Sequence, residues 1–366
     1  MLDKLLAVAV ILTLVAAGAF AYFSYSQVPT GLGEVSSNQV VPADQIVSGG
    51  PPPDGIPSID NPRFVTATNA SSWLNDDYDT VIGVSLKGDA RAYPLQILVW
   101  HEIVNDVIGG VPVAITYCPL CYSTQAFVRQ INGTAVQFGT SGKLYNNNLV
   151  MYDRLTDSLW SQFWGQAIAG SLTGHRLQRV PIDVTTWGAW KKLYPNTMVL
   201  SRQTGFSRDY GNDPYGVYYF TKGIYFPLAH LDTRLPQKTM VLGLTIGAAS
   251  RAYISDSPFG QGALAYKLTN LTSPISMDSV GGTPVLVWED GQIVRFYSPV
   301  VNGNLLTFVN SNGTVVDSET HSVWNFGGVA ISGPLMGQSM TRYVSETAFW
   351  FAWAAFYPNT TIYPSQ

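Results

Sequence analysis

The two cysteines of the 366-residue chain are two residues apart, in the segment Cys118-Pro-Leu-Cys121. Three kinds of chemistry use such a pair. It forms a disulfide in an oxidising compartment, although this one would close a very small ring. It binds a soft metal such as copper(I), zinc or iron through paired thiolates. It also supplies a redox-active or nucleophilic thiol.

Other Cys-X-X-Cys patterns are excluded by the residues around the pair. Attachment of a c-type haem needs His directly after the second cysteine, where this chain has Tyr122. A closed zinc ribbon needs a second cysteine pair, and the chain has no further cysteine. The strand and helix alternation of thioredoxin-like folds is also missing around the motif. Disulfide, metal and thiol chemistry therefore remain open.

His101 is the natural third member of a site. The segment His101-Glu-Ile-Val-Asn105 nearly matches the zinc-protease helix, but Asn105 replaces the second histidine, which argues against a metalloprotease. Only a short turn at Gly109-Gly110 separates this segment from the cysteine strand, so we expect the imidazole to come within reach of the thiolates. The sequence predicts a metal site of Cys118, Cys121 and His101, most plausibly for copper. Alone, a histidine of this kind more often hydrogen-bonds a loop.

Three functions from different classes follow from these residues. The first is a metal-binding protein outside the cytoplasm that uses the predicted copper site. The second is a structural or interaction module of the cell surface, with a Cys118–Cys121 disulfide. The third is a thiol–disulfide or Cys-nucleophile enzyme, which requires a depressed thiol pKa. The sequence itself assigns no catalytic residue and leaves the protein partners open.

The elements that position these residues read as mainly β (α+β) with a few helices. Short runs such as VPVAITY and NLVMYDR are rich in β-branched and aromatic residues and are divided by Gly and Asn turns. One helix is predicted to begin near Pro94 and to continue through LQILVWHEIVND to Gly109-Gly110. A second helix is predicted over TTWGAWKKLYP, halted by Pro195.

The body of the chain repeats itself. Paired motifs recur in one order at offsets of 160 to 172 residues: Asp89–Tyr93 with Ala249–Tyr253, Gly109–Val113 with Gly281–Val285, Asp157–Trp160 with His321–Trp324, Gly170–Gly174 with Gly333–Gly337, and Trp187–Thr197 with Trp350–Thr360. We therefore predict two tandem copies of one ~125-residue unit, as two similar domains or as halves about a pseudo-twofold axis. The second copy has Asp290 where the first has Cys118. A site present in one copy alone fits a function added to a scaffold.

The N-terminus predicts export. Lys4 precedes an unbroken apolar run over 5–23, which suits a cleaved signal peptide or a membrane anchor. Both place the rest of the chain outside the cytoplasm. The predicted organisation is a leader over 1–23, a linker rich in Gly, Ser and Pro over 24–58, a first repeat over 59–200, a connector over 201–235 and a second repeat over 236–366.

Composition narrows the partners. Charged residues are only 12% of the chain and the net charge is −4, so there is no basic footprint for nucleic acid. The membrane is a partner if the leader is uncleaved. Asn-X-Ser/Thr sequons fit an exported, glycosylated surface, and they lie at Asn69, Asn132, Asn270, Asn312 and Asn359.

Three long motifs carry a family resemblance: PLQILVWHEIVNDVIGGVPVAITYCPLCYSTQAF, FGTSGKLYNNNLVMYDRLTDSLWSQ and RDYGNDPYG. Over most of residues 56–363 the chain resembles an uncharacterised family catalogued as domain of unknown function number 3179. The resemblance implies an exported bacterial or archaeal protein and makes Thr116–Cys121 one of the family's signature segments. It implies no mechanism.

Overall fold

A computed structural model describes residues 39–255, 268, 271 and 273–363. Strands make up 44% of the structure and helices 10%, which confirms the mainly β class. The elements of the first part are β1 (Val47–Ser48), β2 (Phe64–Thr66), α1 (Ala67–Ala70), β3 (Thr80–Leu86), β4 (Asp89–Pro94), α2 (Leu95–Leu98), β5 (Ile103–Ile108), β6 (Val111–Cys118), β7 (Ser123–Val128), β8 (Gln130–Ile131), β9 (Thr134–Ala135), β10 (Phe138–Tyr145), β11 (Asn148–Asp153), β12 (Leu159–Ser161), β13 (Gln166–Ala169), β14 (Asp183–Thr186), α3 (Trp187–Leu193) and β15 (Met198–Leu200).

A 3₁₀-helix, Ala43–Gln45, precedes β1 in the first part. The second part follows a connector that contains the 3₁₀-helix Gly216–Phe220 and is otherwise irregular. Its elements are β16 (Met240–Ile246), β17 (Ala249–Ile254), β18 (Ile275–Val280), β19 (Thr283–Asp290), β20 (Ile293–Tyr297), β21 (Val300–Val301), β22 (Asn304–Leu305), β23 (Phe308–Ser311), β24 (Thr314–Asp317), β25 (Val323–Trp324), β26 (Ala330–Ser332), β27 (Ser345–Phe349), α4 (Trp350–Phe356) and β28 (Thr361–Tyr363).

The largest sheet joins the two parts of the chain. Its strand order is β28-β17-β16-β27-β7-β6-β5, so four strands of the second part continue into three of the first. The junction is the antiparallel contact of β27 with β7, at Thr347 and Thr124. The hairpin β6–β7, which carries the cysteines, is therefore held inside a sheet rather than at a free end.

The same strand order occurs in both parts. The first contains β14-β3-β4-β15 and the second contains β27-β16-β17-β28. A glycine in β3 and one in β16 leave room for a helix tryptophan: a Cβ at Gly83 would lie 2.2 Å from Trp190, and one at Gly243 would lie 2.0 Å from Trp353. These glycines are required because the indole packs directly on the strand backbone.

Two buried ion pairs cross between the parts in a reciprocal way. Arg179 of the first part pairs with Glu346 of β27. Arg342 of the second part pairs with Asp183 of β14 at 2.6 Å, and Arg295 adds a second contact to the same carboxylate at 2.6 Å. The first part thus supplies an arginine to the acid in β27 of the second part, and the second part supplies arginines to the acid in β14 of the first.

The predicted helix from Pro94 to Gly109-Gly110 is wrong beyond its first turn. The helix ends at Leu98, a turn follows, and β5 begins at Ile103. The β-branched residues of β5 favour an extended backbone, and pairing with β6 satisfies their backbone hydrogen bonds. The chain changes direction at Glu102, whose φ of 58° lies in the left-handed region.

The predicted helix before Pro195 is confirmed as α3, capped by the Thr186 hydroxyl. Residues 39–58, the described part of the predicted linker, pack on the first part through bonds such as Asp54 N–H to the Thr140 carbonyl at 2.8 Å. The predicted leader, residues 24–38 and the sequon at Asn270 lie outside the described residues. None of the helices in the described ranges is long and apolar enough to cross a bilayer.

Candidate functional site

The cysteine pair lies at the tip of the β6–β7 hairpin. Cys118 pairs with Ser123 across the hairpin, and the four residues between them form the loop. Tyr122, the last of these, has a φ of 53°, which is uncommon for a bulky side chain. The Cys121 carbonyl accepts a hydrogen bond from Phe349 N–H of β27 at 2.8 Å. A strand of the second part therefore helps to fix the loop.

Both cysteines are free thiols, and both are buried, with exposures of 1% for Cys118 and 0% for Cys121. The Cys118 thiol donates to the Asn147 carbonyl at a sulfur–oxygen distance of 4.0 Å, and the Cys121 thiol donates to the Cys118 carbonyl at 3.9 Å. The pair is therefore assembled as a dithiol that the surrounding protein shields from solvent.

Polar groups converge on the Cys121 sulfur. Asn148 Nδ2 donates to it at 3.0 Å, and the Ser123 hydroxyl lies 3.2 Å away. Gln162 completes the group, since its Oε1 lies 2.7 Å from the Ser123 hydroxyl and 2.8 Å from Asn148 Nδ2. Because an amide oxygen can only accept, the Ser123 hydroxyl donates its proton to Gln162 Oε1, and Asn148 Nδ2 is the donor to the Cys121 sulfur.

The pKa values of the two thiols are shifted in opposite directions. Burial raises the pKa of Cys121, but hydrogen bonding with Cys118, Ser123 and Asn148 lowers it by more. The net pKa therefore lies below the ordinary thiol value. Burial raises the pKa of Cys118 well above that value, and the neighbouring Cys121 adds to the rise. Cys121 is accordingly the more acidic thiol of the pair and Cys118 the less acidic one.

Glu102 is a buried acid beside the dithiol. The backbone carbonyl of Glu102 accepts a hydrogen bond from the N–H of Tyr117 at 2.8 Å. Because Tyr117 directly precedes Cys118, this bond fixes Glu102 next to the strand that carries the cysteine. The residue is 6% exposed, and within the described ranges its carboxyl group makes no hydrogen bond or ion pair. Burial, with a smaller contribution from Cys121, raises its pKa to about 8. Glu102 is thus poised to exchange a proton near neutral pH.

Both ring nitrogens of His101 are engaged by groups other than the cysteines. Its Nδ1 donates to the Pro57 carbonyl at 2.7 Å, so Nε2 carries the lone pair and accepts the Tyr210 hydroxyl at 2.6 Å. Burial lowers its pKa to about 4, and Arg208 also lowers it. The neutral ring therefore ties the connector to the turn after α2. The structure brings Cys118 and Cys121 together but engages both nitrogens of the predicted third ligand elsewhere.

The connector covers the cysteine loop. The Tyr218 hydroxyl donates to the Leu120 carbonyl at 2.6 Å, and Phe226 N–H donates to Asn147 Oδ1 at 3.0 Å. Nearer the start of the connector, the Asn212 carbonyl accepts a hydrogen bond from Trp100 Nε1 at 3.2 Å. Access to the thiols therefore depends on the connector.

Sequence reasoning missed the carboxylate and the donors of this site. Glu102 stands next to His101 and would have been found by asking which acid of that segment the sheet buries. Asn148 and Gln162 could not be assigned, because the approach of Asn148 to Cys121, and of Gln162 to Asn148 and Ser123, depends on the register of β10, β11 and the following turn. Across the described part of the chain, no group of three or more His, Cys, Asp and Glu side chains is arranged to hold a metal ion.

Fold and site together define a mainly β protein with a buried dithiol at a hairpin tip and a carboxyl group of raised pKa beside it. The sequence model of the family described as protein of unknown function (DUF3179) matches residues 53–360. The chain belongs to this family, which confirms the resemblance seen in its motifs. Searches of curated proteins and of solved structures found no match to the chain.

Proposed function

We propose that Cys118 and Cys121 are a redox couple that carries out thiol–disulfide exchange. The observation that carries the proposal is the environment of the pair: Asn148 Nδ2 donates to the Cys121 sulfur at 3.0 Å and lowers the pKa of that thiol, while burial raises the pKa of Cys118, and a carboxyl group whose pKa is about 8 lies nearby. A low-pKa thiolate and a resolving thiol with a proton acceptor are the parts that this reaction needs.

The reaction runs in two displacements. The Cys121 thiolate attacks one sulfur of a substrate disulfide RSSR, forms a Cys121–SR bond and releases RS⁻, which takes a proton from solvent. Glu102 in its ionised form accepts the proton of Cys118. The Cys118 sulfur then attacks Cys121, a Cys118–Cys121 disulfide forms, and the second RS⁻ leaves as RSH with the proton from Glu102. One dithiol and one RSSR thus give one intramolecular disulfide and two RSH.

The loop suits ring closure. The Cys121 sulfur lies 3.9 Å from the Cys118 carbonyl oxygen, so the two residues already approach each other within the loop. A disulfide needs about 4.4 to 6.8 Å between its Cα atoms. Oxidation therefore joins two residues that are already neighbours in one short loop.

The test is a count of thiols before and after exposure to a small disulfide. Reduced protein is incubated with glutathione disulfide, quenched with acid, alkylated and analysed by peptide mass spectrometry. We expect loss of both thiols and a peptide two mass units lighter that joins Cys118 to Cys121, reversible with dithiothreitol. Thiols that stay reduced would count against exchange. A disulfide present from the start that dithiothreitol cannot reduce in the folded protein would favour the structural module instead.

Copper binding is the second candidate. The observation that favours it is the buried pair of adjacent soft thiols, which suits two-coordinate copper(I). His101 would join as a ligand only by releasing Tyr210 from its Nε2. Titration of reduced protein with copper(I) against a competing chelator tests this, with His101→Gln as the variant that separates a two-sulfur site from a three-ligand site.

We also infer that the two parts of the chain arose from one duplicated unit and that the first alone acquired the dithiol. The shared strand order, the matched glycine–tryptophan contacts and the reciprocal ion pairs support this inference. An extracytoplasmic location, proposed from the N-terminal apolar run, would expose the dithiol to disulfides in its surroundings. Fractionation of cells that express the full chain tests that location.

A further inference from the structure

A pocket of about 590 Å³ opens between the turn after α2 and the connector. Its lining includes Val99 and Trp100 on one side and Arg208, Asp209 and Tyr215 on the other. The volume lies within the range of about 300 to 1,000 Å³ that is typical of small-molecule sites. The proposed exchange reaction does not by itself explain this pocket.

The inner end of the pocket approaches the cysteine loop through Tyr215. The ring centroid of Tyr215 lies 6.2 Å from that of Tyr218, and the Tyr218 hydroxyl donates at 2.6 Å to the carbonyl of Leu120, which stands between the two cysteines. Burial raises the pKa of Tyr215, and the charges of Glu102 and Cys118 raise it further. Tyrosine side chains of the connector therefore separate the pocket from the dithiol.

Arg208 brings a positive charge to the pocket lining, next to the carboxylate of Asp209. Within the part of the chain that the structure describes, its guanidinium donates only to the Ser207 carbonyl, at 2.9 Å, and no carboxylate lies at ion-pair distance. The carboxylate of Asp209 is engaged by Asn212 Nδ2 at 2.5 Å. His101 nearby is neutral, because its pKa is about 4. An anionic group is therefore the natural partner of Arg208.

We propose that this pocket binds the substrate of the exchange reaction, and that the substrate is a low-molecular-weight disulfide bearing a carboxylate. The carboxylate pairs with Arg208, the carbon skeleton lies against Val99 and Trp100, and the disulfide lies at the inner end, where displacement of Tyr215 opens the way to the thiols. This inference rests on the proposed function. The burial of both cysteines favours a small substrate, because a disulfide on a folded protein could not reach them.

The test compares two small disulfides of opposite charge. The full chain is reduced, mixed with glutathione disulfide, which is anionic, or cystamine, which is cationic, and the loss of thiols is followed by acid quench and alkylation. Arg208→Gln is expected to raise the half-saturating concentration of glutathione disulfide roughly 10-fold or more, with little change in the maximal rate and little change for cystamine. The control is Lys222→Gln, which removes the same charge from the exposed part of the connector outside the pocket.

The outcomes separate the two levels of the proposal. If Arg208→Gln behaves like Lys222→Gln with both disulfides, the carboxylate site is wrong, while the exchange reaction stands. If neither disulfide oxidises the parent protein, the proposed function itself fails. A selective loss with glutathione disulfide alone supports both, and circular dichroism of each variant checks that the fold is retained.

Discussion

The hairpin β6–β7 of the first part and the hairpin β19–β20 of the second share their supports but differ at their tips. The N–H of Tyr117 bonds the carbonyl of Glu102 at 2.8 Å, and the N–H of Glu289 bonds the carbonyl of Pro274 at 2.7 Å. Behind each hairpin a tyrosine hydroxyl donates to an aspartate of the neighbouring strand, as shown by Tyr93 with Asp106 at 2.5 Å and by Tyr253 with Asp278 at 2.6 Å.

The tips differ by two residues. Asp290 pairs with Ile293 across a two-residue turn that starts at Gly291, whose φ of 63° is easily adopted by glycine. The first hairpin instead has four residues between Cys118 and Ser123. The longer loop brings a second sulfur back toward the first, so the chemistry depends on a local change in an otherwise similar support.

The largest expected effect comes from removing the sulfur at the altered tip. Cys121→Ser should slow exchange with glutathione disulfide by at least about 100-fold, because the thiolate is the attacking group. Cys118→Ser should still react once but should stop at a mixed disulfide on Cys121, seen as a glutathione adduct in the intact mass. Asp290→Ser, at the matching position of the second hairpin, should leave exchange unchanged.

The predicted roles of the two cysteines are wrong if Cys118→Ser carries no glutathione adduct while Cys121→Ser carries one. The roles of the two sulfurs would then be reversed, and the donors around Cys121 would have another explanation. Equal adducts on both variants would mean that the asymmetry of the pair has no kinetic consequence.

A second comparison concerns the reciprocal ion pairs. Burial raises the pKa of Asp183, but Arg342 and Arg295 lower it below the ordinary value, whereas burial leaves the pKa of Glu346 raised despite Arg179. Asp183→Asn should therefore cost about 3 to 5 kcal/mol of unfolding free energy, and Glu346→Gln should cost less. Urea unfolding measures both, and equal losses would contradict the difference between the two acids.

The pH dependence of stability tests Glu102. Its pKa is about 8 in the folded protein and near 4.5 when unfolded, so the folded state binds more protons between these values. Stability should fall as pH rises from about 4.5 to 8, by about 5 kcal/mol in total. Glu102→Gln should lose this slope, and Asp290→Asn, an exposed acid of the second hairpin, should keep it. A slope that survives in Glu102→Gln would assign it to another group.

The smallest expected effect concerns His101. Its pKa is about 4 when folded and about 6.5 when unfolded, so the unfolded chain binds more protons in this window and stability should fall as pH drops from 6.5 to 4. The expected loss is about 1 to 3 kcal/mol. His101→Gln keeps a donor and an acceptor but does not titrate, so its urea midpoint should lose that acid-dependent part. If the urea midpoint of His101→Gln falls between pH 7 and pH 5 as much as that of the parent protein, the acid-dependent loss does not come from His101.

The sequence predicted the mainly β class, helix α3 and the cysteine pair as the candidate centre. It failed over 99–108, because Pro94 as a favoured first-turn residue and Gly109-Gly110 as a stop suggested one helix between them. The β-branched residues of that segment and its sheet partners determined a strand instead. The donor to Cys121 was beyond sequence reasoning, since Asn148 reaches the sulfur only through strand register, and Gln162 reaches Asn148 only through the following turn.

The most direct test of the central claim is a redox titration of the reduced full chain in buffers of defined glutathione to glutathione disulfide ratio. Peptide mass spectrometry after alkylation reports the state of Cys118 and Cys121 at each ratio. The account predicts one reversible two-electron transition between the dithiol and the Cys118–Cys121 disulfide, with the same midpoint from either direction. A pair that stays reduced at every ratio, or that cannot be reduced again once oxidised, would contradict it.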